Sequence, residues 1–80
     1  MTISKAISKR IDEFLYARGI TLYKLAKSAY LPVGTLQNLY RGQTKTTSLT
    51  VVFKVCAGLS ITPVEFFDSP LFSSADLELD

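Results

Sequence analysis

Eighty residues with 48% apolar side chains, a net charge of +2, one cysteine and no histidine describe one small domain with a core just large enough to fold unaided. The lone Cys56 excludes an internal disulfide, and the absent histidine removes metal-ligand clusters and histidine-based acid or base chemistry, so no metal, cofactor or catalysis is expected. No apolar run approaches the roughly 18 residues of a membrane span and no signal pattern opens the chain, which reads as soluble, cytoplasmic and without a membrane partner.

Thr2 or Ser4 can cap a first helix that runs to Arg18 with Ile7, Ile11 and Phe14 facing inward. Gly19 ends it by taking the left-handed conformation, and Thr21 caps the next helix. From Leu22 to about Ala29, the residues Leu22, Leu25, Ala26 and Ala29 recur at helical spacing and leave Tyr23, Lys24 and Lys27 outside. Tyr30-Leu31-Pro32 interrupts that pattern, because the residue before proline is pushed towards extended geometry. Ala29 is small enough to let two helices approach closely. Pro32 suits the first turn of a third helix, Pro32 or Val33 to Tyr40, with Leu36 and Leu39 inward. Both helices are shorter than the about 12 residues at which an isolated helix is marginal in water, so flanking helices must cover them.

The polar segment RGQTKTT from Arg41 to Thr47 reads as a loop, either simply solvated or gripping a nucleic-acid backbone. Ser48 then caps a fourth helix with Leu49, Val52, Val55, Cys56 and Leu59 inward, Phe53 at its margin, and Cys56 as core rather than a reactive thiol. Ser60 follows, where glycine would be more comfortable. Thr62-Pro63-Val64-Glu65 has the capping residue, first-turn proline and glutamate of a capping box, and it opens a fifth helix bearing Phe66 and Phe67. Beyond Asp68, SPLFSSADLELD is either a frayed tail or a self-association surface through Leu71 and Phe72. All nine Lys and Arg lie at or before Lys54 with only Asp12 and Glu13 beside them, a balance of +7; five acids leave the remainder at −5. A basic body with an acidic tail suits a polyanionic partner.

The spacing of Leu25, Ala26, Ala29, Leu31, Leu36 and Leu39, closed by Arg41-Gly42, resembles the helix-turn-helix of the phage repressor and Cro-like family of DNA-binding proteins. Ser48-Leu49, Leu59 and Thr62-Pro63 through Phe66-Phe67 also match, so the resemblance runs from about Ile7 to Phe67. It implies an all-α, compact five-helix, lambda-repressor-like domain over residues 1–68, with residues 69–80 as an acidic tail. It also implies that helix three lies in the major groove of double-stranded DNA. Val33, Gly34, Gln37 and Asn38 match positions that reach bases. Asn and Gln pair bidentately with adenine, each good pair discriminating by about 1–3 kcal/mol, whereas Val33 offers apolar contact to a thymine methyl. Gly34 costs roughly 1 kcal/mol against alanine in a helix and marks close backbone approach. The DNA backbone would meet Thr21 and Leu22 at the start of helix two, Thr35, and the loop residues Arg41, Gln43, Lys45 and Thr46, with Lys45 and Thr46 the best loop candidates. Lys9 and Arg10 could touch phosphate but read rather as solvated side chains.

Four positions depart from the family. Leu22 stands where a phosphate-clasping glutamine is usual. Tyr30 stands where a glycine with positive φ makes the turn, so either the turn is rebuilt or strain is tolerated. Leu15 and Tyr40 replace a base–acid pair and are expected to pack together. The expected function is a sequence-specific DNA-binding regulator of transcription, acting by repression as a homodimer on two half-sites, with no small-molecule ligand. The alternative is a protein-interaction module on the same scaffold, such as an antitoxin or inhibitor, suggested by Leu22, Tyr30, Val33 and Tyr40.

Overall fold

The computed structural model describes residues 1–41, 48–73 and 77–78. Five helices follow one another, α1 (Ile3–Arg18), α2 (Leu22–Ser28), α3 (Val33–Tyr40), α4 (Leu49–Leu59) and α5 (Pro63–Phe67), and a single 3₁₀ turn (Pro70–Phe72) comes after them. The all-α, five-helix expectation is borne out. Four of the helices start on a hydroxyl: Thr2, Thr21, Ser48 and Thr62 each accept a hydrogen bond from the amide three residues on. Each cap satisfies an amide that the helix itself leaves orphaned. The Thr62–Glu65 capping box is complete, since Glu65 also accepts from the Thr62 amide.

Helix ends are as regular as helix starts. Gly19, Tyr30 and Ser60 all adopt the left-handed conformation, with φ of 61°, 55° and 57°. At each, the residue's own amide donates back to a carbonyl three residues earlier, and the next amide donates to one five residues earlier. The pairs are Gly19 to Tyr16 and Ile20 to Leu15, Tyr30 to Lys27 and Leu31 to Ala26, and Ser60 to Ala57 and Ile61 to Cys56. In every case the second donor, Ile20, Leu31 or Ile61, packs against the core. This is the hydrophobic contact that accompanies a left-handed helix terminus. One connector therefore serves three times, joining α1 to α2, α2 to α3 and α4 to α5. At Tyr30 strain is tolerated and the turn is not rebuilt, at a cost of about 1–2 kcal/mol for an L-residue.

The core takes Ile7, Ile11 and Leu15 from α1, Leu25 and Ala26 from α2, Leu36 and Leu39 from α3, Val52, Val55, Cys56 and Leu59 from α4, and Phe66 from α5. Cys56 is buried as expected, and desolvation raises its thiol pKa. Such a thiol is poorly nucleophilic. Two expectations need correcting. Leu49 is 65% exposed, because it is the first residue of α4 and turns away from the stripe that Val52 begins. Ala29 does mark a close approach, but the helix it admits is α4: a Cβ placed on Gly58 would lie 2.9 Å from the Ala29 Cβ and backbone nitrogen.

Much of the remaining framework is polar and starts on α1. Ser8 Oγ donates to the Tyr40 carbonyl and Arg18 Nη1 to the Leu59 carbonyl, closing the ends of α3 and α4. Arg10 is not a solvated side chain: Nε donates to the Phe66 carbonyl at 2.7 Å, and Nη2 donates to the Glu65 and Asp68 carbonyls at 2.8 and 3.2 Å. Its guanidinium also sits 4.5 Å from the Phe14 ring centre. Fully buried Phe66 is ringed by Phe14, Phe67 and Phe72, which brings the 3₁₀ turn onto the domain. At the chain ends, the Ile3 amide donates to the Glu78 carbonyl and the Glu78 amide to the Met1 carbonyl, both at 2.9 Å.

Leu15 and Tyr40 both join the core region, but the polar tie that fixes Tyr40 runs to Asp12, whose Oδ1 accepts from the phenol at 2.6 Å. That hydrogen bond, helped by burial and by the Asp12 charge, holds the phenol above the ordinary tyrosine value of 10.0. A raised pKa stabilises the fold fully below the unfolded-state value, and the contribution is lost as pH rises through the folded value. Tyr40→Phe is therefore expected to lower stability by about 0.5–1.5 kcal/mol at neutral pH. Its deficit against the wild type should shrink in denaturant titrations repeated at alkaline pH. For Gly58→Ala, overpacking of about 1–3 kcal/mol against rigid backbone outweighs a helix-propensity gain of about 1 kcal/mol. Thermal unfolding should show a net loss of roughly 1 kcal/mol, the middle of that difference. A variant as stable as wild type would mean that α2 and α4 separate freely.

Candidate nucleic-acid interface

The pair α2 and α3 is held by the second left-handed connector, so the angle between them is set by backbone hydrogen bonds and by Leu31 packed against the core. Pro32 is the N-cap of α3 and gives it no side-chain hydrogen bond. A helical projection of α3 puts Leu36, Leu39 and Tyr40 inward and Gly34, Asn38 and Arg41 in one line on the opposite face. Thr35 and Gln37 flank that line on either side. Burial agrees with the projection: Gly34, Thr35, Asn38 and Arg41 are exposed, and Gln37 is half-buried.

Val33 sits at the edge of the inward face and packs against the core, so only part of its side chain is available to a partner. A Cβ built on Gly34 would meet nothing within 4 Å, so no contact inside the chain calls for glycine there. Thr21 is exposed and already accepts from the Lys24 amide at 3.1 Å, which leaves its hydroxyl proton free to donate outward. Leu22, the other expected backbone contact on α2, is half-buried against the core and offers only its main-chain amide. Gln43, Lys45 and Thr46 lie outside the described residues.

The stretch of sequence that contains α2 and α3 carries only positive charge. From Phe14 to Val64 the chain has no Asp or Glu, yet it includes Arg18, Lys24, Lys27, Arg41, Lys45 and Lys54. Lys24 and Lys27 are exposed on α2 beside the turn. Sequence reasoning assigns these two lysines only to an outer helix face; the long acid-free stretch is the signal that gives them a further electrostatic role. Among the described residues the single ion pair is Arg10–Glu13, on α1 and away from α3 in sequence. No described helix is long and apolar enough to cross a membrane. Nor do the described residues group three or more His, Cys, Asp or Glu side chains that could hold a metal.

A sequence profile of the Cro/C1-type HTH DNA-binding domain matches residues 10–70, which takes in all of α2 to α5 and most of α1. No match was found among curated proteins or among solved structures. The fold, the exposed face of α3 and the profile agree, and the chain belongs to the Cro/C1-type helix-turn-helix family of double-stranded DNA-binding regulators, a family that is not typically enzymatic.

Proposed function

We propose that this domain is a cytoplasmic, sequence-specific regulator of transcription that represses by occupying double-stranded DNA as a homodimer. The observation that carries the reading is the solvent-facing line of Gly34, Asn38 and Arg41, flanked by Gln37 and Thr35, on a short helix within an acid-free segment. Asn38 and Gln37 supply the bidentate donor–acceptor pairs that distinguish bases in the major groove. The exposed part of Val33 meets a base methyl, and the bare backbone at Gly34 admits the groove wall closely. Thr21, the Leu22 amide, Thr35 and Arg41 take phosphates, as do Gln43, Lys45 and Thr46 further along the sequence.

The dimer would place two α3 helices about one helical turn apart on a symmetric site. Val64, 80% exposed, and the partly exposed Phe67 make α5 the best candidate for the contact between subunits, with the tail beside it. The competing reading, a protein-interaction module, needs Leu22, Tyr30 and Val33 to form one exposed patch. Leu22 and Val33 pack against the core instead, which leaves Tyr30 on its own.

A random pool of duplex DNA, bound at rising salt and sequenced from the retained fraction, tests the proposal. A motif of two related half-sites should survive at physiological salt. A folded protein that enriches nothing at any salt would move the assignment to a protein partner. On the enriched duplex, Asn38→Ala should cost about 1–3 kcal/mol and relax preference at one base pair. Arg41→Ala should weaken all sequences alike and reduce the salt slope by about one. Equal losses from both, with preference unchanged, would overturn the division of roles.

A further inference from the structure

We infer that Tyr30 is an additional DNA contact, its phenol hydroxyl donating a hydrogen bond to a backbone phosphate at the edge of the groove that α3 enters. The inference rests on the DNA-binding reading above and extends it to a residue outside both helices. The first reason is backbone conformation. Of the three left-handed connectors, one is built on glycine and one on serine, both small; the third places a full aromatic ring at φ 55°. Its two hydrogen bonds come from main-chain amides, so glycine would make the same turn without strain. The turn itself does not need the ring.

The second reason is that the domain makes no use of the side chain. Tyr30 is 88% exposed, and its hydroxyl has no hydrogen-bond partner among the described residues. A strained conformation that the fold does not require, carrying a side chain that the fold does not use, points outward to a ligand.

The third reason is position and chemistry. From Ala29 to Gly34 the side chain of Tyr30 is the only one able to form a hydrogen bond. Tyr30 precedes Val33, the first residue of α3, by three positions, a span of at most about 11 Å. A helix that presents its N-terminal residues to base edges brings the turn before it against the sugar–phosphate rim. Lys27 is exposed one helical turn earlier, and the acids nearest in sequence are Glu13 and Glu65. A phenol hydroxyl is able to donate to a phosphate oxygen.

The test uses the full chain, the enriched duplex as probe, and the variants Tyr30→Gly and Tyr30→Phe. Tyr30→Gly should unfold at the same or a higher temperature than wild type, since glycine suits the turn. It should bind about tenfold more weakly, the scale of one hydrogen bond to a charged group, with base preference unchanged. The salt slope should also stay put, because no cation is removed. Tyr30→Phe keeps the ring and the backbone conformation and should reproduce the loss. Wild-type affinity in Tyr30→Gly overturns the contact, and wild-type affinity in Tyr30→Phe overturns the hydrogen bond. If the wild-type protein binds no duplex at any salt, the DNA-binding reading falls and this inference with it.

Discussion

The C-terminal ends of short helices are the constraint that this domain has to satisfy, and α1 satisfies most of them. Helices α2 to α5 have between five and eleven residues each, too few to persist in water without partners. Each ends in carbonyls that its own turns cannot bond. The sixteen-residue α1 answers with three side chains, Ser8 to the end of α3, Arg18 to the end of α4 and Arg10 to the end of α5. All three also keep positive or partly positive groups where the helix dipole is negative. An arginine suits the last of these sites better than lysine because its planar fork reaches three carbonyls at once. The long helix is thus both the hydrophobic floor of the bundle and the source of polar groups that terminate its neighbours.

The connectors complete the arrangement. Where α1 side chains fix the far ends of α3, α4 and α5, the left-handed turns at Gly19, Tyr30 and Ser60 fix the direction in which α2, α3 and α5 set off. Each packs one aliphatic residue against the core, so the turn cannot swing without losing buried surface. The meeting of Gly58 with Ala29 then sets how closely α4 lies on the helix that leads into the exposed face of α3. No residue on that exposed face takes part in any of this.

Most of the fold was legible in the sequence because its signals are local. Thr21, Ser48, Thr62 and Gly19 announce helix boundaries by chemistry that does not depend on distant residues, and the apolar spacing of α1 and α4 reports the core directly. What the sequence hides is long-range. Nothing near Arg10 says that its partners are carbonyls more than fifty residues away, so it reads as a solvated cation. Tyr40 reads as an apolar body because its tie to Asp12 crosses from α3 to α1. Ala29 announces that a helix comes close without naming which. For the candidate interface, helical spacing separates Gly34 and Asn38 from Leu36 and Leu39, but it places Val33 and Gln37 less well, since both lie where the two faces meet.

The separation between the residues that hold α3 and those it displays has a consequence for how such a protein changes over time. Leu36, Leu39, the bond to Asp12 and the cap from Ser8 keep the helix in place, while Gly34, Thr35 and Asn38 stand in solvent with no structural duty among the described residues. Mutational drift at the displayed positions therefore meets little resistance from folding stability, which proteins hold in only small excess. Substitutions on that face can therefore accumulate one at a time while the domain stays folded.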